Sequence, residues 1–161
     1  MLYFTDLQRH RVFRSTLTGE VQQEWAWPQH TGKYDKEDCN RPSWTLHAPE
    51  GSFFVLDGYG RDYIAHYDAA GKFVKQFGGA EGGIVHWGPH GGMMDDRDPA
   101  QPALLIAMSD QQHLLRVDTN GKKLSQHDLP GGNPRQSRRS GKNFYVAHLG
   151  DNWPKDQNSV R

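Results

Sequence analysis

The sequence predicts an all-β protein, a β-propeller of which the chain carries about three blades. Three observations carry that prediction. Residues 2–25, 53–77 and 104–129 share one layout, in which an apolar run ends at an aspartate, a polar turn and an alternating run follow, and a glycine turn leads into a last strand. The period is regular: Asp6, Asp57 and Asp110 lie 51 and 53 residues apart, and Gly19, Gly71 and Gly121 lie 52 and 50 apart. No stretch shows helical periodicity. A single unit of this kind is too small to bury both faces of its sheet, so it must stack with like units around a ring, which closes with roughly 4 to 8 blades.

Taken in order, the blades are expected at residues 2–27, 43–77 and 88–129, with a partial one at 132–161. The chain thus reads as a piece of a longer propeller, with open sheet edges and inter-blade faces that favour self-association. Alternation supports the strands: in Tyr63, Ile64, Ala65, His66 and Tyr67, and in Leu115, Arg116, Val117 and Asp118, side chains project to opposite faces at each step. The pairs Ala70-Gly71 and Asn120-Gly121 are expected to supply the positive φ angles of two-residue hairpins. Trp25, Trp27, Phe73 and Phe77 are expected to pack between blades. Residues 28–42, polar and without periodicity, read as a connection between blades, and residues 78–92, with seven glycines and a proline, as a connection that turns sharply. Residues 95–102 read as a hairpin loop, and residues 130–142, with four positive charges, as a solvated loop.

Composition narrows the function classes. Nineteen basic residues balance nineteen acidic ones, so no net field draws nucleic acid or anionic lipid. No apolar run approaches the roughly 18 to 20 residues that cross a bilayer as a helix. The N-terminus lacks the charged and apolar regions of a signal peptide, and the single Cys39 excludes an internal disulfide framework. Gly-x-Ser-x-Gly, phosphate-loop and His-Glu-x-x-His patterns are absent.

The run DGYGRDYIAHYDAAGKFVKQFG, followed by a glycine-rich stretch and GPHGG, resembles NHL-type repeats, and in particular the lyase domain of peptidylglycine α-amidating enzymes. The order of an Asp-Gly-Tyr turn at residues 57–59, a Gly-Lys-Phe turn at residues 71–73 and a Pro-His pair at residues 89–90 carries the resemblance. It implies a six-bladed propeller whose central zinc ion is held by three histidines from Pro-His motifs on different blades. It also implies cleavage of a peptidyl-α-hydroxyglycine with a tyrosine as base, and an exported protein, as many of the family are. At matching positions His90 becomes the expected zinc ligand and Tyr59 the expected catalytic tyrosine; the other two ligand motifs have no counterpart in the sequence. After Asp110, where these lyases carry a substrate-holding arginine, the chain has Gln111, which lacks the charged fork that grips a carboxylate.

Each site residue also has an ordinary role open to it. His90 can be a metal ligand, since zinc favours imidazole and a catalytic site typically uses three protein ligands, or a structural histidine bonded to a loop. Tyr59 can be a base only beside a cation, because a phenol ionises near pH 10, and otherwise packs at a blade end. The ordinary structural reading holds for His47, His66, His86, His113, His127 and His148. Asp6, Asp57 and Asp110 read as turn aspartates that accept backbone hydrogen bonds. Two functions follow: a binding or scaffold propeller that takes a small molecule or peptide at its channel mouth through Tyr59 and His90, or a zinc-dependent lyase complete only in a longer chain.

Overall fold

A computed structural model of the chain describes residues 1–83, 87–130 and 132–149, and folds them into four antiparallel meanders. The first has three strands, β1 (Leu2–Asp6), β2 (Arg11–Ser15) and β3 (Val21–Trp25). The second has four: β4 (Trp44–His47), β5 (Phe53–Leu56), β6 (Tyr63–Tyr67) and β7 (Phe73–Gly78). So does the third, with β8 (Pro89–Asp95), β9 (Ala103–Met108), β10 (His113–Asp118) and β11 (Lys123–Asp128). The fourth pairs β12 (Asn133–Ser140) with β13 (Asn143–Leu149). Strands are paired in chain order within each meander, and β8 lies between β4 and β12. This is the arrangement of successive blades in a propeller, with β4, β8 and β12 as the innermost strands.

Period-two alternation decides which blade each side chain meets. On β5, Phe53 and Val55 join Val12, Trp25, Ala65 and Tyr67 in a core between the first and second sheets. Phe54 and Leu56 face the other way and pack with Leu104, Ile106 and Leu115 between the second and third. On β9 the next register repeats the logic: Leu105 and Ala107 turn toward Phe144 and Val146 of the fourth sheet. A strand buried on both faces needs apolar residues at every position, and β5 and β9 are buried throughout. Each fully buried Phe or Leu here contributes about 1.5–3 kcal/mol relative to exposure.

The glycine turns differ from the two-residue hairpins expected. In the β6–β7 turn only Gly71 has positive φ (+82°), and the ladder shifts register between His66 and Tyr67. Gly121 (+88°) and Gly19 (+90°) repeat this, with shifts between Arg116 and Val117 and between Arg14 and Ser15. Each is a longer turn closed by the glycine, and the extra residue of each ladder falls three positions further on, at Val74, Leu124 and Gln22. The conformation is selected by the residue that opens the turn: one Asp68 oxygen accepts from the amides of Ala70 and Lys72 (3.0 and 2.8 Å), and one Asp118 oxygen from those of Asn120 and Lys122 (2.8 and 2.9 Å). Thr16 Oγ1 does the same for Glu20 (3.1 Å).

These turns also dock the blades. Trp25 Nε1 donates to the Gly71 carbonyl (2.8 Å), and a Cβ on Gly71 would lie 2.7 Å from the Trp25 ring. Phe77 meets Gly121 of the next blade in the same way. Phe73 packs on the core between the first and second sheets. Trp27 instead meets Tyr34 edge-on, 6.2 Å between ring centroids, beneath the connection at residues 28–42.

Two stretches expected as loops contribute strand. Within residues 130–142, Asn133–Ser140 forms β12, and Pro89 to Gly92 open β8 inside the glycine-rich stretch. Both are innermost strands, whose edge faces the ring axis rather than a core, so they carry no apolar alternation to betray them. The loop expected at residues 95–102 does join β8 to β9.

Candidate functional site

The site is built where the inner strands begin. On β8, Pro89 pairs with Met108 and Gly91 with Ala107, so His90 is the extra residue of a bulge. On β12, Pro134 pairs with His148 and Gln136 with Ala147, which leaves Arg135 in the same place. Ser43, after Pro42 and before β4, holds the corresponding position in the second sheet, its amide donating to the Leu56 carbonyl (2.7 Å). A bulge re-aims one side chain at a sheet edge, and three blades thus present Ser43, His90 and Arg135 at one level.

Tyr59 reaches this level from the turn between β5 and β6. Its amide bonds the Arg41 carbonyl (3.3 Å), and the preceding Gly58 amide bonds Ser43 Oγ (3.3 Å). The Ser43 hydroxyl also lies 2.8 Å from the Pro89 carbonyl, which draws the turn against the start of β8. Gly58 permits the approach, because a Cβ there would lie 2.5 Å from the Pro89 carbonyl oxygen. Tyr59 and His90 consequently meet edge to face, with ring centroids 4.3 Å apart and planes at 75°. Arg135 Nη1 donates to the Tyr59 hydroxyl (3.3 Å). Tyr59 is 46% exposed while His90 is 8% exposed, so the histidine forms the floor and the tyrosine the rim.

Behind the rim, Asp57 anchors the turn. Its two oxygens accept from the amides of Arg41 (2.6 Å) and Arg61 (2.7 Å), and the Tyr34 hydroxyl bonds it as well. Burial pushes its pKa up to about 6, against the opposing pull of those donors. Burial and the same carboxylate hold the Tyr34 phenol far above its usual range. Asp6 keeps the expected role, accepting from the amides of Gln8 and Arg9 (2.9 and 3.0 Å). Asp110 does not end its strand: β9 stops at Met108, and Met108, opposite His113, takes the place that Asp6 holds opposite Arg11.

None of the other described histidines stands on β8. His66 stacks on Phe54 (4.3 Å) and His47 lies 4.2 Å from Tyr3; burial lowers the pKa of both. His113 lies at the start of β10, His127 on β11 and His148 on β13, while His86 falls outside the described residues. A small crevice between the first and second sheets, lined by Trp25, Tyr34, Asp57 and Tyr67, has room for about one water molecule and no ligand.

Zinc does not fit the donors assembled at the site. The described residues bring one imidazole to the site where a zinc centre uses three protein ligands, and the Arg135 guanidinium bonded to Tyr59 opposes a cation. Among the described residues no group of three or more His, Cys, Asp or Glu side chains could hold a metal ion. What the arrangement offers is an aromatic edge, a hydroxyl, an imidazole and a permanent positive charge, all suited to hydrogen-bonded recognition. Arg135 escaped the sequence reading, although Pro42-Ser43, Pro89-His90 and Pro134-Arg135 recur at spacings of 47 and 45 residues.

No family model and no curated protein matches the chain. Solved structures do. Virginiamycin B lyase from Staphylococcus aureus matches with a TM-score of 0.66 at 16% identity, covering 91% of this chain and 44% of its own. A luciferin-regenerating enzyme matches at 0.61 and 16%, covering 94% and 47%, and the Neurospora crassa Pan2 WD40 domain at 0.53 and 9%, covering 88% and 41%. The chain therefore spans less than half the length of these proteins. The likeness establishes the propeller fold, and at such identities the fold alone.

Proposed function

We propose that the chain is a ligand-binding module of a propeller, with its site at the mouth formed by Tyr59, His90 and Arg135. The observation that supports it most is the meeting of three side chains from three different sheets, two of them on strand bulges. Residues scattered over about 75 positions of sequence converge there without a core to build, since Tyr59 is an exposed aromatic at the rim. The ligand is a small molecule or a peptide end, held through the tyrosine edge and the imidazole. The test is a fragment and dipeptide screen by NMR, following the ring signals of Tyr59 and His90. Binding compounds should move both, and His90→Ala should weaken them about tenfold or more while leaving the spectrum folded. A screen in which hits never touch either ring would refute the module.

A second reading, a zinc-dependent lyase, is favoured by one feature: His90 follows a proline at the start of an inner strand, as the resembled family's ligands do. That reading requires two further imidazoles from beyond the described residues. It predicts one zinc per assembled ring, lost in His90→Ala, and a large fall in activity in Tyr59→Phe. A lyase also stands among the fold neighbours, which keeps an elimination reaction worth assaying.

A further inference from the structure

We propose that Arg135 is the anchor of an oxyanion subsite at this mouth, so that the ligand carries a carboxylate or phosphate group. The inference rests on the binding module described above and specifies which chemistry it recognises. Its basis is an imbalance of charge. At three other arginines carboxylates supply the balance: Arg97 and Arg116 converge on the fully buried Asp95 (2.7 and 2.6 Å), and Arg11 meets Glu24 (2.8 Å) and Glu37 (3.4 Å). Arg135 has no acidic partner among the described residues. Among those residues its hydrogen bond is to the Tyr59 hydroxyl, at 3.3 Å. Its Nε is sealed from solvent with no partner among the described residues.

That nitrogen of a permanently charged group has lost hydration without gaining a partner. Holding it there is favourable when an anion completes the set. Because Nε is covered, the anion must take the Nη side, where Nη2 bonds no described residue. That is the side occupied by Tyr59, whose hydroxyl takes the Nη1 bond and whose ring meets that of His90. The placement is built in by β8: a side chain at Gly91 would run into the Arg135 carbonyl, so glycine lets the two inner strands close up and brings Arg135 beside His90. Arg14 provides an internal contrast. Its Nε also lacks a partner, but it lies on β2 over the Trp25 ring (6.0 Å), remote from the inner strands.

The experiment is an NMR titration of the full chain with inorganic phosphate in one arm and N-acetylglycine in the other, reading the Arg135 side-chain signals and the His90 ring. Both signals should move together and saturate. Arg135→Gln should weaken the stronger arm about tenfold, Arg135→Lys should retain part of it because it keeps the charge, and Arg14→Gln should change nothing. The tighter arm identifies the group as phosphate or carboxylate. Retention of undiminished binding in Arg135→Gln, or no movement of Arg135 in either arm, would overturn the subsite. If neutral fragments still move Tyr59 and His90 in that case, the binding module survives and the oxyanion subsite alone falls; if nothing moves those rings, both fall.

Discussion

Asp57 shows how one buried carboxylate serves the site from behind. It fixes the amides of Arg41 and Arg61, and hence the turn that carries Tyr59, yet burial raises its pKa to about 6. A raised carboxyl pKa means that the folded protein prefers the protonated form. This contribution to stability is fully present below the unfolded value near 4, and is lost as pH rises through about 6. Asp57→Asn removes the titration. Its stability deficit relative to the natural protein should therefore be larger at pH 4 than at pH 7.5, by up to about 3 kcal/mol, in urea unfolding at both pH values. An equal deficit at both would show that Asp57 titrates normally. At this scale Tyr59 and His90 were singled out by the Asp-Gly-Tyr turn and the Pro-His pair that carry the family resemblance. Arg135 was hidden among the arginines of a polar stretch, where charge density reads as a solvated surface.

At the scale of elements, the glycine turns set both the hairpins and the contact between blades. Gly71 and Gly19 share a positive φ, but only Gly71 faces a neighbour, the Trp25 ring, while nothing lies within 4 Å of a Cβ at Gly19. Gly19→Ala should cost about 1 kcal/mol, the backbone term alone, and Gly71→Ala roughly 2–3 kcal/mol, as measured by denaturant unfolding. Equal costs would mean that the Trp25 contact adds nothing. Trp25→Phe, which removes the bond to the Gly71 carbonyl and keeps an aromatic ring, should cost about 1 kcal/mol. The strands between these turns were legible from apolar runs bounded by Asp and Gly, as in β5, β6, β9 and β10. The innermost β12 was not, since Pro134, Arg135, Gln136 and Arg138 give it no apolar face, and its partner β13 supplies the apolar Phe144 and Val146.

At the scale of the molecule, the period near fifty residues was the signal that counted, because blades of similar length are what a ring requires. Among the described residues, the first and fourth sheets each carry exposed apolar residues, Leu2 and Phe4 on β1 and Tyr145 and Leu149 on β13. Such faces favour association. Sedimentation velocity should show concentration-dependent self-association of the chain that is reduced by Phe4→Glu and by Tyr145→Glu; a monomer at all concentrations would count against it. The site depends on the same architecture, since Tyr59, His90 and Arg135 belong to three successive sheets and meet only if those sheets stack as blades. The most direct measurement is therefore an NOE experiment on the full chain between the ring protons of Tyr59 and His90. The stacked blades predict strong cross-peaks, in keeping with ring centroids 4.3 Å apart. Assigned, well-resolved rings with no cross-peak between them would contradict the site and the blade packing that assembles it.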